Sequence, residues 1–171
     1  MCVFRLSWIM INVKGNNVIN KWHVRWLRLA HEVASWSKDT VQVGAIIFDH
    51  NRNPRGFGYN GQPRGLDDQN PDRLQRPLKP LYFEHAERNV IFACARNGIS
   101  CDGCTMVVTH WPCCDCTRAI IQSGIRELIV DAACMDPQGY FYQKWQTHVS
   151  ESQKMLDECG ISWHLESLSP G

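Results

Sequence analysis

The sequence has no long uninterrupted apolar run, no internal repeat, no low-complexity tract and no recognisable domain linker. The first absence argues against a membrane-spanning helix; the others argue against repeat arrays and against division into linked domains. A net charge is also lacking, because 18 Lys and Arg face 17 Asp and Glu and leave +1 at pH 7. There is therefore no general field to collect nucleic acid or an anionic membrane, and neither is expected as a partner. An anionic partner has to be met by a local site, which suits a small ligand better than a polymer. A secretory signal is not expected either. In MCVFRLSWIMINVKGNN the apolar stretch is short, Asn12 and Lys14 interrupt it, and no small-residue cleavage site follows.

What is present in quantity is cysteine. Nine cysteines form an odd count, and without a signal they do not suggest a disulfide framework. In the cytoplasm, the expected compartment, they read as buried hydrophobes or metal ligands. The length of 171 residues, 44% of them hydrophobic, suits one domain with a real core, with residues 1–19 as an N-terminal extension.

Apolar residues Trp22, Trp26, Leu29, Val33 and Trp36 recur at helical spacing, with Asn20 as a plausible N-cap. VQVGAIIFDH reads as a buried strand, NRNP as a turn, and RGFGYN as the second arm of a hairpin. The stretch GQPRGLDDQNPDRLQRPLKPLYF carries four prolines and no periodicity. Its part from Leu66 to Phe83 reads as a flap over a site, a subunit contact or a solvated loop. EHAERNVIFACARNG is a helix closed by Gly98, CTMVVTH a strand, and PCCDCTRAIIQSG a helix starting on proline and stopping on glycine. RELIVDA is a strand, residues near Tyr142 to Cys159 a last helix, and ISWHLE a last strand. The order α-β-β-α-β-α-β-α-β predicts a three-layer α/β/α domain around a five-stranded mixed sheet.

The segment HWPCCDC places three cysteines in four positions. With Pro112 in the first helical turn, Cys113 and Cys116 lie about 60° apart around the axis, and Cys114 points about 100° away from Cys113. Cys113 and Cys116 can therefore reach one Zn²⁺, while Cys114 is filler. In FEHAERN, His85 offers a third ligand and Glu87 a nearby carboxylate. Three protein ligands leave a fourth position open, as in catalytic rather than structural zinc sites. H-x-E followed by P-C-x-x-C is the general signature of zinc deaminases. The competing reading joins Cys101 and Cys104 to Cys113 and Cys116 as a four-cysteine structural knuckle. It leaves the adjacent His-Ala-Glu unexplained. His110 is either a further ligand or a packed, hydrogen-bonded side chain.

With these motifs the chain resembles the cytidine deaminase superfamily, and within it the deoxycytidylate deaminases. SKDTVQVGAIIFD, RGFGYNGQPRG and the run from His85 to Val130 carry the likeness, which spans about Asn20 to Met135. The resemblance implies hydrolytic deamination of dCMP to dUMP on one catalytic Zn²⁺ per chain, feeding dTTP synthesis. It implies His85, Cys113 and Cys116 as zinc ligands, Glu87 as the proton carrier, Asn60 on the sugar hydroxyl and Ala86 against the base. Lys38 is the candidate for the 5′-phosphate, beside the plain reading of a solvated lysine, and Tyr140 is a further candidate substrate contact. The family also implies a homo-oligomer, a hexamer, with dCTP activating, dTTP inhibiting and Mg²⁺ accompanying the triphosphate. Asn60, Gly61 and Gly65 match its allosteric motif, where a plain turn is the competing reading. Alternatives are a deaminase of another cytosine nucleotide or nucleoside, and a non-catalytic zinc-supported interaction module.

Overall fold

The computed structural model describes residues 20–168; the expected N-terminal extension lies outside the described residues. Helix α1 (Lys21–Ala34) opens on Asn20, whose side-chain oxygen accepts from the Trp22 amide at 3.0 Å. Of the expected row only Val33 is buried, and Leu27, Ala30 and Ala34 complete the buried stripe. Leu29 and Trp36 stay exposed, and Trp26 stacks on Phe48 at 5.0 Å. Small residues win the central positions because α1 lies almost against β1 (Gly44–Phe48). A Cβ on Gly44 would sit 2.1 Å from the Ala30 carbonyl oxygen.

β1 pairs antiparallel with β2 (Pro54–Tyr59) and with β3 (Thr105–Val108). β3, β4 (Glu127–Asp131) and β5 (Ser162–Glu166) run parallel, giving the mixed order β2-β1-β3-β4-β5. Parallel neighbours need crossovers, and these are α4 (Cys114–Gln122) and α5 (Tyr140–Glu158). Ile46, Phe48, Val107 and Ile129 pack toward α1. Ala45, Ile47, Met106, Val108, Leu128 and Val130 pack into the opposite core, with Val90, Ile120 and Leu156 of the helices on that side. Both faces are covered, which is why the central strands read as unbroken apolar runs. The three-layer arrangement is the one expected from the order of elements.

Three local readings change. Pro112 lies outside α4, whose N-cap is Cys113, so the helix begins two residues later than the proline suggested. α5 begins at Tyr140 on a Gly139 cap, two residues early. The proline-rich segment holds a 3₁₀ turn (Pro71–Leu74) and the short helix α2 (Lys79–Tyr82). It is tied back by the paired backbones of Gly61 and Glu84, with N···O distances of 3.0 and 2.8 Å. No helix among the described residues is long and apolar enough to cross a membrane.

Candidate metal centre and catalytic cavity

Two helix N-termini converge on one point. α3 (Ala86–Arg96) starts directly after its N-cap His85, and α4 starts directly after Cys113, just beyond the C-terminal end of β3. Neither cap residue uses its side chain to cap its helix. The His85 ring and the Cys113 thiol are therefore free for another partner, and the helix ends favour negative charge between them. His85 Nδ1 lies 3.5 Å from Cys113 Sγ and 3.4 Å from Cys116 Sγ. All three donor atoms lie within 4.8 Å of one another. Tetrahedral coordination with ordinary Zn–S and Zn–N bonds sets donors about 3.5 Å apart. The donor set and its spacing thus fit three positions of a zinc site.

The three donors are strongly coupled electrostatically. The Cys113 thiol is held down to about 4, first by its hydrogen bond with Cys116 and, against burial, by His85. His85 is pushed up to about 9, chiefly by its hydrogen bond with Cys113. Cys116 is pushed upward by its hydrogen bond to Cys113, by burial and by neighbouring Glu87. Glu87, in the first turn of α3, is 3% exposed. Burial raises its carboxyl above the ordinary value, and His85 partly offsets this.

A buried network fixes the cysteine loop. The Trp111 indole N–H donates to Ser152 Oγ at 2.9 Å, and Thr117 Oγ1 lies 2.6 Å from the same hydroxyl. Thr117 also donates to the Cys113 carbonyl at 3.0 Å. Cys114 turns away as expected: its thiol donates to the His148 carbonyl at 3.8 Å. Cys101 and Cys104 are buried apart from the cluster, and Cys104 bonds to carbonyls of its own turn. His110 is packed edge-on against Phe141, 4.9 Å between centroids, with Nδ1 3.2 Å from Thr109 Oγ1.

The cluster opens into a cavity of about 280 Å³. Ala86, Glu87, Trp111, Phe141 and Trp145 line it, as does Tyr140, which is 70% exposed. Arg76, Lys79 and Lys144 line it as well, so the proline-rich segment is a wall of this cavity. Lys79 is bound to Asp39 at 2.5 Å. Burial alone would raise the Asp39 carboxyl, but the Lys79 and Val41 hydrogen bonds hold it below the ordinary value. Lys144 donates to Tyr140 Oη at 3.2 Å, and Arg76 has no ion pair among the described residues.

Lys38 is not brought to this cavity: it pairs with Asp68 at 2.9 Å and lines a second one of about 160 Å³. The reason is local, since α1 ends before Lys38 and the following turn carries Asp39, not Lys38, inward. Asn60 lines both cavities, but its amide is engaged by its own surroundings. Oδ1 accepts from the Val43 amide at 2.8 Å, and Nδ2 donates to Asp39 at 3.0 Å and to the Val41 carbonyl at 2.9 Å. Gly61 lines the second cavity, whereas Gly65, at φ +93°, turns the chain outside the lining of both. The sequence reading missed Asp39, Trp111, Phe141, Lys144 and Trp145. Asp39 and Trp111 lie within quoted motifs, but nothing in the sequence signalled that α5 would supply part of the lining.

Comparison with known proteins agrees with this geometry. The cytidine and deoxycytidylate deaminase zinc-binding region matches residues 20–132. The chain belongs to this family. It is thereby a hydrolytic deaminase. An uncharacterised deaminase of Aliivibrio fischeri is 38% identical over 145 residues, covering 84% of this chain and 92% of that protein. Human deoxycytidylate deaminase is 38% identical over 125 residues, covering 70% and 69%. The dCMP deaminase of cyanophage S-TIM5, solved with dCMP and dUMP, shares the fold at a TM-score of 0.62 and 22% identity, covering 82% of this chain and 93% of that one.

Proposed function

We propose that this chain is a cytoplasmic, single-domain zinc enzyme that deaminates dCMP to dUMP and feeds dTTP synthesis. The observation that carries this reading is one cavity lined by members of a His-Cys-Cys cluster, by a buried carboxylate and by cations suited to a phosphate. His85, Cys113 and Cys116 hold one zinc per chain, and zinc so held supplies the means to activate water at neutral pH. Glu87 takes the proton from the attacking water, delivers it to N3 of the cytosine and then assists departure of the C4 amine. Water and dCMP become dUMP and ammonia. Ala86 faces the base through its backbone, while Trp111, Phe141 and Trp145 enclose the ring and exclude water. With Lys79 engaged by Asp39, Arg76 and Lys144 are the free cations for the 5′-phosphate, with Tyr140 beside Lys144.

Replacing both Arg76 and Lys144 by Ala should raise KM for dCMP by about 10²–10⁴-fold, since each charged contact is worth about 1.5–3 kcal/mol. Turnover of deoxycytidine, which has no phosphate, should not change. Equal effects on the two substrates would remove these residues from phosphate binding. Metal analysis should find one zinc per chain, and a strong chelator should abolish activity until zinc is restored. A second zinc per subunit would overturn the one-metal reading.

The second cavity supports the effector part of the reading. It has aromatic walls, Lys38 and Arg64 as cations, and Asp68 as a carboxylate able to share Mg²⁺ with a triphosphate. There dCTP activates and dTTP inhibits, in a homohexamer. The deciding assay compares dCMP, CMP, deoxycytidine and dCTP as substrates, each with and without added dCTP or dTTP. No turnover of dCMP under any condition would sink the specific reading, and turnover of CMP would widen it.

A further inference from the structure

The second cavity contains an amide with no protein partner. Both side-chain polar atoms of Gln62 are shut off from solvent, and neither has a hydrogen-bond partner among the described residues. Burying a donor and an acceptor unpaired is unfavourable, so a flexible side chain in that position is biased to turn toward a ligand that pairs with both. Gln62 belongs to the wall formed with Trp36, Phe57 and Tyr59 and the cations Lys38 and Arg64. The Trp36 ring stands edge-on to Phe57 and Tyr59, with centroids 5.4 and 6.2 Å apart. Ring faces accept a planar heterocycle, the cations accept phosphate, and a volume of about 160 Å³ suits a single ring.

We propose that Gln62 is the base-reading residue of the effector site, and that its one amide serves both pyrimidines by turning over. The inference rests on the second cavity being the effector site. On cytosine, Oε1 accepts from the N4 amino group while Nε2 donates to N3. Thymine presents the reverse pattern, an O4 acceptor beside an N3–H donor. A half-turn about the last side-chain bond puts Nε2 on O4 and Oε1 on N3–H. The two effectors then leave Gln62 in opposite orientations. Its neighbours lead to the catalytic cavity: Asn60 holds Asp39, and Gly61 pairs with Glu84, which precedes His85. Opposite amide orientations give the loop the differential contact that opposite regulation requires.

The test is calorimetric titration of the zinc-loaded enzyme with dCTP, with dTTP and with N3-methylated dTTP. Wild type should bind the first two, and N3-methylation should weaken binding by about tenfold or more, because it blocks one of the two hydrogen bonds. Gln62→Met, with folding checked by its melting curve, should weaken dCTP and dTTP by about tenfold or more each. In that variant N3-methylation should cost little further, since both changes remove the same contact. Wild type binding N3-methylated dTTP as tightly as dTTP would overturn the role of Gln62, and this arm needs no variant. Unchanged affinities in Gln62→Met would overturn it too and leave the effector site standing. A wild type that turns over dCMP but binds neither triphosphate would remove the effector site, and the Gln62 role with it.

Discussion

Replacing Glu87 by Gln should leave the chain folded and zinc-loaded while turnover of dCMP falls by about 10²–10⁴-fold, the usual contribution of a positioned acid–base group. The amide matches the carboxylate in shape, so the enclosed site around Ala86 and Cys116 need not repack. In stability the exchange has two opposed parts. The first turn of α3 loses a negative charge favoured by the helix dipole, worth about 0.3–1 kcal/mol. It also loses the cost of burying a carboxylate that is only 3% exposed. The melting temperature should therefore move little. The zinc donors, His85 Nδ1 and the two thiols, are untouched. What the amide lacks is a basic oxygen that can take a proton from water and pass it to N3. Three measurements check this: zinc content, melting temperature and kcat. Full activity in the variant would remove Glu87 from the mechanism and return the site to a structural reading.

The geometry also shows which parts of the site were legible in the sequence. The His-Ala-Glu and Cys-x-x-Cys motifs were readable because each lies within one helix start, where spacing alone fixes relative direction. Even there, the two-residue error at Pro112 shows the limit. The pair works with Cys113 as the N-cap, since the cap's extended backbone frees the thiol to face His85. The order of elements along the chain was readable because β-branched runs alternate with helix signals. Lys38 and Asp39 were not distinguishable, because a turn after α1 decides which of two adjacent side chains faces the catalytic cavity. The charge of Lys38 made it the natural phosphate candidate, yet the cations that line the catalytic cavity come from the proline-rich wall and from α5. Those two segments are remote in sequence and meet only in the folded chain. The family motif likewise pointed to Asn60, while the four residues that engage its backbone and side chain come from the loop ahead of β1.

Gly58→Ala should impair both stability and catalysis, whereas Gly56→Ala, two residues earlier on the same strand, should be milder. A Cβ on Gly58 would lie 2.7 Å from the Val90 amide nitrogen and 2.9 Å from the Ala86 carbonyl oxygen. Both are backbone atoms of α3, so no side chain can swing aside and the helix itself must move. α3 begins at the residue after His85 and carries Glu87 in its first turn. A shift there displaces the ring from the Cys113–Cys116 pair and the carboxylate from the reacting atoms. Overpacking of this kind costs about 1–3 kcal/mol or more, and a misplacement of about 1 Å at reacting groups costs about 10²-fold in rate. At Gly56 the contacts are Cys94 Sγ at 3.0 Å and Val90 Cγ2 at 3.2 Å, side-chain atoms able to yield. Melting curves, zinc content and kcat for the two variants separate the cases. If Gly58→Ala kept wild-type stability and turnover, the close seating of α3 on β2 would not be what positions the metal ligand and the carboxylate. If the two variants were equally damaged, the loss would belong to strand propensity rather than to the helix contact.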